Sequence, residues 1–501
     1  MKPVCLIIPP SAFLLDERVF MSLGILKVAA ALEAAGVPVE LLDLSGVENY
    51  LDVIGDHLTR SPAEVFGLTA TTPQMPAASR IRERLRAERP QARLILGGPH
   101  ATLVHAAWRS ERQRRRPGRA ARAFAGLRAG FDVLVAGDGE TAVFEALREA
   151  PPPVVDADDP RSALFLDNDQ LTRLPFPARH LVDVDSYHYT IDGERALSLI
   201  AQLGCPFGCG FCGGRLSPFL RRVRMRSAES VVAEIAELRA RYGVRGFMLY
   251  DDELNVNPGM LDLMRRLARL QQERGEHFRL RGFIKAQLFT AEQAEAMRAA
   301  GFRWILVGFE SGSERILSNI EKQAARADNS RCLQLAHDAG LKVKALMSAG
   351  HPGESPETLA ETRDWLFDSR PDDFDLSVIT TYPGTPYFDE ARETAPGVWT
   401  YSARNGDRLH SLEVDHSAVA EYYKGAPGAY DSFVWTDALS RGELVAWRDR
   451  IEAEVRAALD IPYNTGVAAQ RYEHSMGQRE LPPGILRRTA ETQAAAAGET
   501  R

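Results

Sequence analysis

The chain has 501 residues, 45% of them hydrophobic and 26% charged, with a net charge of −7. That length suits two or three domains with sizeable cores, and the acidic balance excludes a general attraction to nucleic acid. No apolar run approaches the roughly 18 residues of a membrane span, and residues 1–10 lack the form of a signal peptide. Five cysteines, three of them clustered, argue against a disulfide framework and for a reducing, cytoplasmic setting.

Over residues 1–150, short apolar runs alternate with helical patterns. Strands are expected at 4–8, 39–42, 65–68, 93–96 and 133–136, and helices at 19–35, stopped by Gly36, and at 76–88. Such alternation predicts a doubly wound, Rossmann-like parallel sheet, which takes ligands beyond the carboxyl ends of its strands. The loops there carry Thr69, Thr71 and Thr72 (TATTP), then Gly97, Gly98, Pro99 and His100 (GGPH), then Gly137, Asp138, Gly139 and Glu140 (GDGE). Small residues let a bulky, amide-bearing ligand approach the backbone. A plain nucleotide-type fold has similar loops. The arginine-rich run 108–128 reads as a solvated insertion or mobile flap, with phosphate contact as the alternative.

Prolines 151–153 and an acidic stretch at 156–159 mark a boundary, and 151–190 reads as a linker. The apolar run 196–203 is a buried strand leading into GCPFGCGFCGG at 204–214. There Cys205, Cys209 and Cys212 are separated by three and two residues. Soft thiolates so spaced hold zinc or an iron–sulfur cluster. The cluster is favoured, because a closed zinc site needs a fourth ligand and Cys5 and Cys332 are remote in sequence.

Further strands are expected at 246–250, 280–286, 304–309, 343–347 and 374–380, with helices begun by Ser227, Asn257-Pro258, Thr290 and Ser355. Six strands with helical crossovers predict a partial (β/α)6 barrel of the TIM type over 191–394, with its chemistry at the strand carboxyl ends. Those ends carry Tyr250, Asp251, Asp252, Lys285, Gln287, Glu310 and Ser311, and the turns GHPGE (350–354) and YPGTP (382–386). Glu310 also suits a helix N-terminus, either of Asp251 and Asp252 suits a backbone cap, and Cys332 reads as a buried thiol. Residues 395–501 are expected to be a mostly helical region: an irregular lid, an amphipathic helix at 439–459 and a disordered tail from 482. Tyr250, Tyr382, Tyr422 and Trp435 line a substrate pocket or simply pack the barrel mouth.

The cysteine triplet, with Phe211 just before its last member, resembles the signature of the radical S-adenosylmethionine (SAM) superfamily. The GGPH and GDGE loops ahead of it resemble the cobalamin-binding domain that precedes many such enzymes, class B methyltransferases among them. The likeness spans about residues 1–390. It implies a [4Fe–4S] cluster on Cys205, Cys209 and Cys212, with SAM on the open iron near Phe211, Gly213, Gly214, Asp251, Lys285, Gln287, Glu310 and Ser311. It places cobalamin against Leu14, Leu15 and the three loops of the first domain. One departure is the absence of D-x-H-x-x-G: the loop at 13–18 reads FLLDER. Cobalt then has no histidine ligand from the protein, and His100 contacts the corrin edge or caps its loop.

The implied activity is methylation of an unactivated carbon in a small-molecule or natural-product intermediate, through a 5′-deoxyadenosyl radical and methylcobalamin. It takes two SAM molecules per turnover and an external electron donor such as flavodoxin or ferredoxin. Its rivals are a cyclase, a rearrangement or sulfur insertion without methyl transfer, and a non-catalytic cobalamin sensor with a structural metal loop.

Overall fold

The computed structural model describes residues 2–11, 17–115, 118–419 and 431–462. Leu14, Leu15, Tyr422 and the tail from 482 lie outside them. The first sheet consists of β1 (Val4–Ile8), β2 (Val39–Asp43), β3 (Val65–Thr69), β4 (Arg93–Gly97), β5 (Val133–Gly137) and β6 (Val154–Ala157). All pairs are parallel, in the order β2-β1-β3-β4-β5-β6. Every residue of β1 is buried, as befits a strand covered on both faces by crossover helices. The order reverses at β1 and β3, which opens a crevice beyond the strand carboxyl ends.

Two features differ from the sequence expectation. The sheet continues past residue 150, because β6 pairs with β5. The close approach needs Gly137, at φ +89, where a Cβ would lie 2.3 Å from the Ala157 carbonyl carbon. The arginine-rich run is not a flap. Its described residues belong largely to the helices Pro99–Gln113 and Arg119–Gly130. Arg119 is buried, donates to the Phe388 carbonyl (2.9 Å) and stacks over the Phe388 and Trp399 rings at 3.6 and 4.5 Å. Composition alone does not reveal which arginine has an aromatic clamp waiting in a distant segment.

The second sheet contains β7 (Thr190–Ile191), β8 (Glu194–Leu199), β11 (Gly246–Leu249), β12 (Arg279–Ile284), β13 (Phe302–Glu310), β14 (Lys342–Ala349) and β15 (Asp373–Val378). Six strands run parallel in the order β15-β14-β13-β12-β11-β8, and β7 is antiparallel at the edge. This is the expected partial barrel. The apolar run at 196–203 breaks after Leu199, and β9 (Gln202–Leu203) pairs instead with β10 (Arg224–Met225). Asp251 makes the break, its Oδ1 accepting the N–H groups of Ala201 (2.7 Å) and Gln202 (3.1 Å). Ser227, Thr290 and Ser355 cap their helices through the side chain. Asn257 instead accepts Gly259 N–H at 2.8 Å, and that helix starts at Met260.

The lid region is corrected from an irregular layer to a four-stranded antiparallel sheet: β16 (Arg392–Ala395), β17 (Val398–Ser402), β18 (Arg408–Leu412) and β19 (Val434–Thr436). Alternation could not signal it, since every residue of β16 is exposed. The helix Arg441–Leu459 follows, capped by Ser440. Among the described residues, no helix is long and apolar enough to cross a membrane.

Glu354, in the turn after β14, is buried between Thr358 Oγ1 (2.6 Å) and Gly350 N–H (3.2 Å). Burial pushes its carboxyl from 4.5 up to about 7. Between those values the folded chain holds a proton that the unfolded chain releases, so stability falls as pH rises through this window. Glu354→Gln is expected to flatten that slope and to gain about 1–3 kcal/mol at pH 8, read by urea unfolding at stepped pH.

Candidate functional site

The cysteine loop is held by its backbone. Gly204, at φ +85, passes so near Arg222 that a Cβ would sit 2.3 Å from its carbonyl oxygen, and its N–H donates to Asp252 Oδ2 at 2.7 Å. Gly210 N–H donates to the Ile320 carbonyl (2.8 Å), the Gly210 carbonyl accepts Tyr387 N–H (3.1 Å), and Gly214 N–H donates to the Gly384 carbonyl (3.2 Å). Three distant segments therefore fix one short loop. Cys209 is buried, Cys205 half-buried and Cys212 open to solvent. Burial pushes the Cys205 thiol up to about 11, so metal loading must expel its proton.

The barrel wall beside this loop is dense in buried charge. Lys285 follows β12, and its backbone N–H and carbonyl both bond the Asn255 amide, at 2.7 and 2.9 Å. Its ammonium lies 4.2 Å from the Phe207 ring centroid, inside the cysteine loop, and donates to the Lys322 carbonyl at 3.2 Å. Burial, then the Lys322 charge, hold its pKa below the ordinary lysine value. Glu310 ends β13 at φ +66, beside a register shift, a strained conformation for a residue with a side chain. It receives Lys322 Nζ at 3.0 Å and Ser348 Oγ at 2.7 Å, and His351 Nε2 lies 2.8 Å from the same Ser348 hydroxyl. Burial opposes its charge, yet Lys322 and Ser348 hold its carboxyl below the usual range.

Glu253 was not anticipated. Its Oε2 is buried with no hydrogen-bond partner among the described residues, and burial raises the carboxyl to about 7 despite Lys322 and Lys285. Gln287 Oε1 is buried and unpartnered in the same way. Such orphaned oxygens beside paired lysines fit a ligand carrying both an ammonium and a carboxylate. Asp251 Oδ1 and Asp252 Oδ2 cap backbone, while Asp251 Oδ2 is a third buried oxygen without a partner among the described residues, and Ser311 shares its hydroxyl with Thr362 (2.9 Å) to shape the turn. Phe211 packs edge-on against His351 at 5.3 Å. The missed residues were signalled weakly: Glu253 follows two aspartates at a strand end, and Lys322 stands in an irregular turn between the left-handed Glu321 and Gln323.

In the first domain Gly98, at φ +88, lets the loop close, since a Cβ would meet Thr69 Oγ1 at 2.5 Å. Thr71 caps a short turn with Gln74. His100 N–H donates to the Ala70 carbonyl (2.9 Å) and its Nδ1 lies 3.0 Å from Thr72 Oγ1. Burial and then His416 lower its pKa to about 3, so the ring is neutral and caps its loop. Asp138 accepts Arg224 Nη1 (2.5 Å) and Leu166 N–H (2.8 Å), and Glu140 pairs with Lys27 (3.0 Å), so both side chains serve protein partners. Asp158 links the domains too, accepting Arg109 (2.7 Å) and Ser217 Oγ (2.6 Å).

The two sets of loops meet. The helix Pro99–Gln113 begins at the GGPH loop, and its Leu103 lies against Gly213 and Gly384, where added Cβ atoms would come within 3.3 and 2.8 Å of it. Tyr382 flanks Gly213 at 3.1 Å on the same measure. Tyr250 is 44% exposed beside Phe20 and Phe283. Trp435 instead stacks on His410 in the C-terminal sheet, 5.5 Å between centroids.

Residues 17–115 match the B12-binding domain and residues 199–366 the radical SAM superfamily. The chain is a cobalamin-dependent radical SAM enzyme. Its cofactors are a [4Fe–4S] cluster, SAM and cobalamin. It is 26% identical over 379 residues to an anaerobic magnesium-protoporphyrin IX monomethyl ester cyclase of Cereibacter sphaeroides, covering 70% of this enzyme but 57% of the cyclase. It thus spans little more than half of that relative. It is 24% identical over 204 residues to bacteriochlorophyllide d C-12(1)-methyltransferase of Chlorobaculum tepidum, covering 40% and 43% of the two chains. Its fold resembles that of the radical SAM methyltransferase TsrM of Kitasatospora setae, solved with tryptophan and a SAM analogue, at TM-score 0.63 and 18% identity over 100% and 95% of the two chains.

Proposed function

We propose that this enzyme methylates a carbon of a small-molecule substrate bound between its two domains. The observation that carries the reading is Leu103, which ties the helix leaving the GGPH loop to the cysteine loop and the YPGTP turn. The two cofactor sites thereby share one wall, which near-attack geometry between them requires. When bound, the cluster with SAM supplies a hydrogen-abstracting radical, and cobalamin supplies a methyl group. The chain's own residues do the rest. Cys205, Cys209 and Cys212 hold the cluster. Glu253, Lys285, Gln287, Lys322 and Glu310 offer buried charge and orphaned oxygens to the amino-acid end of SAM. Gly97, Gly98 and the threonines of the third strand's loop offer backbone to the corrin, and Tyr250 and Tyr382 border the substrate space. The packed domain interface excludes water from reactive intermediates. Reduction of the cluster falls to an external donor such as flavodoxin or ferredoxin.

A second reading is cyclisation or rearrangement without methyl transfer, favoured by the longer stretch matched by the cyclase. Oxygen-free protein reconstituted with iron, sulfide and cobalamin, then given methyl-labelled SAM and reductant, separates the two. Label moving onto the corrin supports methyl transfer. 5′-Deoxyadenosine formed with the label kept on the released methionine, and none on the corrin, supports the second reading.

A further inference from the structure

The first domain gathers a second group of ligating side chains, away from its cofactor loops. Cys5 and Glu40 are register partners on β1 and β2, near the strand ends opposite the GGPH and GDGE loops. His57 reaches them from the helix Tyr50–Arg60. Cys5 Sγ lies 3.6 Å from His57 Nε2, which lies 3.0 Å from Glu40 Oε2, and all three atoms fall within 4.8 Å of one another. One ring nitrogen thus faces a thiol and a carboxylate at once. A single proton on Nε2 satisfies only one of them well, whereas a cation satisfies both. Tetrahedral zinc, with bonds of about 2.3 Å to sulfur and 2.0–2.1 Å to nitrogen, sets those atoms about 3.5 Å apart.

We propose that Cys5, Glu40 and His57 form a zinc site, with water as the fourth ligand. The thiolate–imidazole–carboxylate set suits zinc and not the hard, all-oxygen sites of calcium or magnesium. Ser61 Oγ donates to the bound oxygen of Glu40 at 2.5 Å, the outer contact that orients a carboxylate ligand. Cys5 is buried while Glu40 and His57 are half-buried, which leaves the ion an entry path at the sheet edge. With three protein ligands and a water the zinc keeps one exchangeable position. Since β2 is the edge strand, an ion there pins it and its crossover helix to β1. The site does not depend on whether methyl transfer occurs.

The test uses the full chain with its iron–sulfur cluster already loaded, so that the loop thiolates are taken. After equilibrium dialysis against zinc sulfate, zinc per chain is read by elemental analysis, and the melting temperature is read with and without the metal. The wild type and Cys332→Ser are expected to retain one zinc and to melt higher with it. Cys5→Ser and His57→Gln are expected to bind at least roughly 100-fold more weakly, beyond the cost of losing an outer contact, and to show no zinc-dependent shift. His57 is half-exposed, so His57→Gln remains informative should Cys5→Ser fold poorly. Zinc held equally by wild type and His57→Gln, or by neither, overturns the site.

Discussion

Cys209→Ala is expected to abolish the iron–sulfur chromophore and to lower SAM cleavage by more than about 100-fold, beyond what loss of an outer contact costs a metal site. The loop offers three thiolates and no spare. Cys5 lies in the first sheet, and Cys332 is buried in the helix Arg326–Asp338, so neither can substitute. Alanine leaves the loop's backbone bonds to Ile320, Tyr387 and Gly384 intact, so melting of the metal-free protein should match the wild type. Iron content, the visible spectrum and 5′-deoxyadenosine by chromatography measure the loss. Cys332→Ala is the contrasting variant and should retain full iron. Wild-type iron and cleavage in Cys209→Ala would sink the assignment of the loop.

How much of this was legible beforehand depends on how local each signal is. The parallel sheets could be read because buried runs such as Val4–Ile8 and Gly246–Leu249 carry their own period and length. The caps at Ser227, Thr290 and Ser355 could be read because a cap acts within one turn. The cysteine loop announced itself by spacing. What stayed hidden is decided at long range. Lys322 and Ser348 meet on Glu310 although they come from separate segments. Asp138 looked like a ligand-facing loop residue, but Arg224 lies waiting for it 86 positions later. The sheet β16–β19 escaped because its edge strand is solvated on both faces, leaving composition as its only trace.

The second large effect concerns stability. Arg456→Met is expected to destabilise the barrel by roughly 3–5 kcal/mol, the cost of breaking a buried ion pair by removing one partner. Arg456 is fully buried on the C-terminal helix. It donates to Glu452 Oε2 (2.6 Å), Asp373 Oδ1 (3.1 Å) and the Phe374 carbonyl, and Asp375 Oδ1 lies 3.6 Å away. Lys344 adds a second cation, 2.8 Å from Asp373 and 3.3 Å from Asp375. Methionine fills much of the space but leaves these carboxylates with too little positive charge. Burial already raises the Glu452 carboxyl even with Arg456 beside it, so the variant should recover some stability as pH falls and Glu452 takes up a proton. Arg456→Lys should cost less, because it restores the charge without the planar fork that reaches several oxygens together. Urea unfolding measures the energies, and hydrogen exchange along residues 441–459 localises them. The network locks this helix to β15, whose carboxyl end leads into the YPGTP turn that packs on the cysteine loop. Exchange should therefore quicken in the helix first and at that turn next, and an Arg456→Met variant within about 1 kcal/mol of the wild type would show that the ion pairs do not anchor it.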